Sequence, residues 1–180
     1  KARYIGASNH SDAQLCEMLW IADQTGAPKV VSSQIPFSLL RREFHQDLDF
    51  CERHSIGVTP YQPLQGGLLT GKYRRGKAAP TDSRLAQKPA WMWEVGDALF
   101  DRLEAFDAVA AAAGLSPARL ALAWALKQRA MTSVVVGVKR QDQTDDAVAA
   151  ASAEVSDEVM RRLDKICPPP WTQPDPVRGG

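Results

Sequence analysis

The chain has 180 residues, 44% of them hydrophobic and 24% charged, with Lys+Arg 22 against Asp+Glu 21. That composition is too apolar for a disordered chain, and the length bounds it to one domain or two small ones. A net charge of +1 gives no reason to expect bulk attraction to nucleic acid or an anionic membrane, and no window approaches the roughly 18 uninterrupted apolar residues of a membrane span.

The three cysteines, Cys16, Cys51 and Cys167, are scattered and lack metal-ligand spacing. No signal peptide opens the chain, so a reduced, cytoplasmic protein without a metal centre is expected. The chain begins at Lys1 rather than Met and runs almost at once into a strand, from which a fragment of a longer product is expected.

Arg3-Tyr4-Ile5-Gly6-Ala7-Ser8 reads as a short buried strand. Ser11-Asp12-Ala13-Gln14 has the form of a capping box, followed by Leu15, Met18, Leu19 and Ala22 at helical spacing and by Gly26 as a stop. A second unit opens with Val30-Val31-Ser32-Ser33-Gln34-Ile35, is closed by Pro36, and continues into a helix around Phe44, Leu48 and Cys51. The third strand is Gly57-Val58-Thr59-Pro60-Tyr61.

The rhythm then breaks. Residues 62–99 show no sustained period but contain Gly66-Gly67, Gly71-Lys72, Gly76 and the basic residues Arg74, Arg75, Lys77 and Arg84. Loops of this length inside a compact domain are usually functional. Leu99, Leu103, Phe106 and Ala110 restore a helix that ends near Gly114, and Ser116-Pro117 supplies an N-cap and a proline at the first helical position for a helix with Leu120 and Trp124 on one face. Ser133-Val134-Val135-Val136-Gly137-Val138 reads as a fourth strand. It is followed by helices over 141–153 and 156–166, the latter with Val159, Leu163 and Ile166 inward, and by a Pro-rich tail over 168–180. Apolar strands alternating with helices imply a parallel α/β sheet covered by helices. Four βα units suit an open sheet or part of a barrel, and periodicity does not choose between them.

In either arrangement ligands sit beyond the C-terminal ends of the strands. Those ends carry Ser8 and Asn9, Gln34, Tyr61, and Gly137-Val138-Lys139-Arg140. Ser8, Asn9 and Gln34 suit a carboxamide ligand, although Ser and Asn also cap their own turns. Tyr61 offers an aromatic face to a planar ring, or a core side chain. Pro63-Leu64-Gln65-Gly66-Gly67-Leu68-Leu69-Thr70-Gly71-Lys72 lets backbone N–H groups approach a phosphate, with a lysine at its end. It has the spacing of neither a Walker loop nor the dinucleotide fingerprint, and a plain flexible loop is the alternative. Ser83-Arg84 and Lys139-Arg140 are further hydroxyl and cation pairs that suit phosphate or a solvated surface. His10, His45 and His54 lie far apart and form no metal spacing or Ser–His–acid order.

Taken together, these residues resemble the aldo-keto reductase family. The matching strings are Tyr4-Ile5-Gly6-Ala7-Ser8-Asn9, then Ser33-Gln34 with Phe37-Ser38-Leu39-Leu40, then Val58-Thr59-Pro60-Tyr61-Gln62-Pro63-Leu64. Gly66-Gly67-Leu68-Leu69-Thr70-Gly71-Lys72, Ser83-Arg84, and the stretch 116–124 leading to Val136-Gly137 follow in consistent order. The long-loop details are closest to the branch with bacterial general reductases and potassium-channel β-subunits.

The resemblance implies an eight-stranded (β/α) TIM barrel of which this chain is the C-terminal half only. Its four βα units would be strands five to eight plus a C-terminal helix, forming one domain over 1–167 ahead of the tail. A full barrel takes roughly 250 residues, and residues facing the other half would be exposed apolar surface.

The resemblance also implies an NADPH/NADP+ site. Ser8, Asn9 and Gln34 would hold the nicotinamide carboxamide, with Tyr61 stacked on the ring. The backbone from Pro63 through Leu64 and Gly66 to Leu68, with Lys72, would line the pyrophosphate, and Gln62 would be a further cofactor-binding residue. Ser83 and Arg84 would take the adenosine 2′-phosphate, Gln143 and Asp146 would contact adenine, and Gly137 and Lys139 would be further cofactor-binding residues. The chain departs from the family in having Ala147 after Asp146 where Asn is usual, and Lys139-Arg140 is not a strict match. It has no counterpart of the family's catalytic Asp, Tyr, Lys and His, which come from the first half of the barrel. The expected activity is NADPH-dependent reduction of a small carbonyl substrate in the intact parent protein, with this chain inactive alone. Its expected partner is the missing N-terminal half-barrel or a second copy. The alternative is a non-catalytic NADP(H)-binding regulatory module like the potassium-channel β-subunits.

Overall fold

The computed structural model describes residues 2–88 and 96–169, the side chains of His45 and Gln46 excepted. Trp91 and Trp93 of the long loop lie outside the described residues, as does the tail beyond residue 169 with Trp171. The described residues divide into two compact units, the first made of 2–63 and 125–136, the second of 64–88, 96–124 and 137–169.

Unit 1 holds a parallel sheet of three strands, β1 (Ile5–Ser8), β2 (Val30–Gln34) and β3 (Gly57–Val58), in the order β1-β2-β3. Each crossover contains a helix, α1 (Asp12–Thr25) or α2 (His45–Arg53). The start of α1 follows from local chemistry. The Ser11 N–H donates to Gln14 Oε1 at 2.9 Å, Ser11 Oγ accepts from the Gln14 N–H, and Gly26 closes the helix at φ 67°.

The register aligns Ala7 with Ser33 and Ser33 with Val58, and all three are buried. This face meets Leu15 and Ala22 of α1 and Leu48 and Cys51 of α2, which form the core of the unit with Val30, Ile35 and Ile56. The opposite face is built of small and polar residues. Gly6 pairs with Ser32 and Ser32 with Gly57, and Ser8 pairs with Gln34. The close approach of β1 and β2 explains Gly6, where an added Cβ would lie 2.3 Å from Ser32 Oγ.

Two expectations are corrected here. Tyr4 is not buried in the first strand; it precedes β1 and is 75% exposed. The fourth strand is not continuous. Residues 130–135 run alongside β3 through Val58 N–H to Ala130 O, Thr132 N–H to Val58 O and Val135 N–H to Pro60 O, giving only isolated parallel bridges at Val58–Met131 and Tyr61–Val135. The cause lies in the neighbouring strand. Val58 directs its backbone groups to this run, while the N–H groups of Thr59 and Tyr61 turn to Ser33 and Ile35 of the β2 segment. Position 60 would have to donate next to the run, and proline has no N–H.

Exposed apolar side chains include Ile5 of β1, Val31 of β2 and Val135 of the run beside β3. The exposed face itself, however, is mainly Gly, Ser and Gln rather than apolar.

Unit 2 is helical. A 3-10 segment (Gln65–Thr70) is followed by α3 (Arg84–Gln87), α4 (Asp97–Ala112), α5 (Pro117–Leu126, its residues from Ala125 counted with unit 1), α6 (Gln141–Ala150) and α7 (Asp157–Ile166). Leu99, Leu103, Phe106 and Ala110 are buried along α4, which packs on α7 and on the 3-10 segment. Leu163 is fully buried in α7, with Val159 and Ile166 half-buried. Ser116 Oγ accepts from the Arg119 N–H at the start of α5, as its position before Pro117 predicts. No single described helix is long and apolar enough to cross a membrane.

Candidate functional site

The strand ends of unit 1 bring four of the expected residues together. Ser8 and Gln34 are register partners, the Asn9 N–H donates to the Gln34 carbonyl at 2.9 Å, and the Tyr61 hydroxyl donates to Asn9 Oδ1 at 3.1 Å. Asn9 Nδ2 donates to Ser8 Oγ at 3.2 Å. These bonds set the orientation of the Asn9 amide. A primary amide has two N–H groups and two acceptor lone pairs, so one of each is left to face a ligand.

The backbone here is held in a sparsely populated region. Asn9 has φ 58° and Gln62 φ 59°, conformations that cost free energy in non-glycine residues and gather at functional sites. Ser8, Asn9, Gln34 and Gln62 are exposed, Tyr61 is half-buried and Pro63 is buried.

In unit 2 the expected phosphate residues also converge. The 3-10 segment turns through left-handed Gln65 (φ 46°), Gly66 (φ 64°) and Gly67 (φ 92°) and ends at Gly71 (φ 73°). A Cβ on Gly67 would lie 2.6 Å from Lys72 Nζ, so the ammonium rests against bare backbone that only glycine leaves open. The Lys72 ammonium also lies 5.2 Å from the centroid of the Tyr73 ring. The buried Tyr73 hydroxyl donates to the Gly66 carbonyl and accepts from the Leu85 N–H, each at 3.4 Å, which joins the glycine turn to α3.

Ser83 is buried as the N-cap of α3, its Oγ accepting from the Ala86 N–H, and Arg84 beside it is exposed. Lys139 reaches the same turn, its Nζ 3.3 Å from the Asp82 carbonyl, and its own N–H donates to Gln143 Oε1 at 2.8 Å. Glycine backbone, a lysine, a capping hydroxyl and two further cations at a helix start form a surface that suits phosphate oxygens.

Other expected residues are engaged within the unit. Asp146 accepts from Ser116 Oγ at 2.7 Å and from Arg119 at 2.7 and 3.1 Å. Arg140 is bidentate to Asp142 at 3.0 Å on both bonds, which holds the Asp142 carboxyl below the usual carboxylate range. Sequence reasoning did not single out Arg119, nor the hydroxyl bridge of Tyr73. It found Arg74 and Arg75 as loop cations but not their partners. Arg74 pairs with Asp107, and Arg75 with Asp97, Asp101 and Glu104, residues far along the chain. Among the described residues no group of His, Cys, Asp and Glu has the geometry of a metal centre.

Comparison with known proteins accounts for nearly the whole chain. Residues 1–168 match the family model described as Aldo/keto reductase family. Protein tas of Escherichia coli (strain K12) is 30% identical over 167 residues, covering 92% of this chain and 48% of that protein. L-glyceraldehyde 3-phosphate reductase of Escherichia coli O157:H7 is 31% identical, covering 92% of this chain and 49% of that one. A probable voltage-gated potassium channel subunit beta of Arabidopsis thaliana is 30% identical, covering 83% and 47% respectively. Among solved structures, a glycerol dehydrogenase from Gluconobacter oxydans superposes with a TM-score of 0.74 at 25% identity, covering 97% of this chain and 52% of that one. The chain spans about half the length of the curated relatives it matches.

Proposed function

The chain belongs to the aldo/keto reductase family, and from that premise we propose that it supplies the NADP(H)-binding half of an NADPH-dependent carbonyl reductase. It would be the fifth to eighth strands of a (β/α)8 barrel, and inactive toward carbonyls when alone. The observation that carries this reading is the glycine turn of unit 2, with Lys72 Nζ where a Gly67 side chain would be and with Tyr73 joining that turn to Ser83-Arg84. A pyrophosphate at Lys72 and a 2′-phosphate at Ser83-Arg84 would suit that arrangement.

The residues present fit the cofactor, and each has an assignable task. Gly66, Leu68 and the rest of the turn offer backbone to the pyrophosphate, and Lys72 offers a point charge. Ser83, Arg84 and Lys139 would hold the 2′-phosphate, with Gly137 just before Lys139 in the chain and Gln143 and Asp146 at the adenine end. In unit 1, Ser8, Asn9 and Gln34 orient the carboxamide through the open bonds of the Asn9 amide. Tyr61, its hydroxyl fixed on Asn9 Oδ1, would offer its ring to the nicotinamide, with Gln62 and Pro63 following it in the chain. When bound, NADPH supplies the hydride.

Polarising the carbonyl acceptor requires a proton donor at the nicotinamide. None of the residues above has that role, so we assign it to a preceding half-barrel carrying the family's Asp, Tyr, Lys and His. The test is NADPH consumption with a reactive aldehyde. The chain alone should show none, and co-expression with the segment encoded just upstream should produce it. Steady turnover by the chain alone, abolished by Tyr61→Ala, would overturn the division of labour. The similarity to potassium-channel β-subunits favours a second reading, a regulatory NADP(H)-binding module; binding without turnover even with the upstream segment would select it.

A further inference from the structure

The two arginines that follow Lys72 and Tyr73 do not face outward as phosphate ligands; they bind backward onto α4. Asp97, Asp101 and Glu104 follow one another at helical spacing on that helix, away from its buried face of Leu99, Leu103, Phe106 and Ala110, and Asp107 lies at the edge of that face. Arg75 donates through Nη1 to Asp97 at 2.9 Å, through Nη2 to Asp101 at 2.5 Å, and through Nε and Nη2 to Glu104 at 3.0 and 3.2 Å. Its guanidinium carbon lies 5.7 Å from the centroid of the Phe100 ring. Arg74 donates to Asp107, a half-buried carboxylate.

An isolated exposed ion pair contributes little, because two flexible side chains must be held in place and salt screens the charge. This cluster differs. One planar guanidinium satisfies three carboxylates already fixed on one helix, so a single ordered side chain serves several bonds. Gly71 sits against the same helix and the start of α5, where an added Cβ would lie 3.5 Å from Asp107 Oδ1 and 3.1 Å from Pro117 Cγ.

We propose that Arg74 and Arg75 are positioning residues for cofactor binding: they latch the segment carrying Lys72 and Ser83-Arg84 onto α4. This rests on the cofactor reading given above. The latch lies in sequence between the pyrophosphate lysine and the 2′-phosphate pair, so its release frees both from the scaffold that sets their spacing. It is ionic and exposed, so rising salt weakens it. Cofactor affinity then falls with salt more steeply than screening of Lys72 and Arg84 alone produces.

The experiment uses the full chain, with hydrogen exchange read on peptides within 65–88 and NADPH titrated on the same samples. Arg75→Glu should speed exchange in 65–88 about tenfold, leave peptides of β1 and β2 unchanged, and weaken NADPH binding by about three- to tenfold. The swap Arg75→Glu with Asp101→Arg should recover much of both effects. Arg75→Lys, which keeps the charge but cannot bridge three carboxylates, should show an intermediate effect and guards against loss of folding in the reversal. Exchange in 65–88 that ignores the reversal, or a swap that restores neither readout, would overturn the latch. Exchange that responds as expected in a folded chain that does not bind NADPH would overturn the cofactor reading and the positioning role built on it.

Discussion

Asn9 is the residue on which the unit 1 site turns. Its backbone is left-handed, its N–H extends the β1–β2 pairing, and its side chain takes the Tyr61 hydroxyl and gives to Ser8. Tyr61→Phe should therefore weaken NADPH binding only by the value of the lost orienting bond, about 1 kcal/mol. Tyr61→Ala, which also removes the ring, should cost more; equal losses would show that the ring contributes nothing.

Two further residues make predictions independent of any ligand. Burial, then the Asp47 and Asp12 carboxylates, push the Cys51 thiol up to about 11, whereas Cys16 is exposed. Cys16 should react with a thiol reagent at pH 8 far faster than Cys51 in the folded chain, and the two should converge in denaturant. Asp47 is raised by burial and by Asp12, with an Asp12 backbone hydrogen bond opposing the shift. A carboxyl with a raised folded-state pKa favours folding in its protonated form, so its contribution falls as pH rises through that pKa. Asp47→Asn should raise the melting temperature at pH 7, with the gain shrinking as pH is lowered through the acid range. A gain independent of pH would remove the charge from the explanation.

At the scale of elements, what was legible in the sequence was what is locally determined. The capping box of Ser11 and Gln14, the Ser116-Pro117 start and the buried stripe of α4 depend on neighbours three or four residues away, and all are present. Ser11→Ala should cost about 1 kcal/mol of stability, measured by denaturant midpoint. The run 133–138 misled because its apolar residues say nothing of the strand beside it, where Pro60 lacks the donor its ladder needs. Tyr4 misled because an aromatic beside a strand pattern need not be inside. The partners of Arg75 were illegible because their carboxylates follow it by at least 22 residues and become one cluster only when α4 forms. Gly67 shows the opposite case. A glycine pair before a lysine suggested a phosphate turn, and the structure places Lys72 Nζ in the space of the missing side chain. Gly67→Ala should displace Lys72, strain a backbone at φ 92°, and weaken NADPH binding more than it lowers stability.

At the scale of the whole molecule, family membership carries the fold and the class of chemistry, while the strand ends and the glycine turn carry the cofactor assignment. On the function proposed above, a chain that spans about half the length of its relatives would hold NADPH and leave substrate activation to the other half-barrel. The direct measurement is a calorimetric titration of NADPH into the folded chain, repeated with NADH and with the Lys72→Met and Arg84→Met variants. The proposed cofactor site should give saturable binding of NADPH at one site and weaker binding of NADH. Lys72→Met should weaken both cofactors, and Arg84→Met should weaken NADPH alone. No heat of binding at millimolar NADPH from a sample shown to be folded, or binding indifferent to both substitutions, would contradict the cofactor assignment.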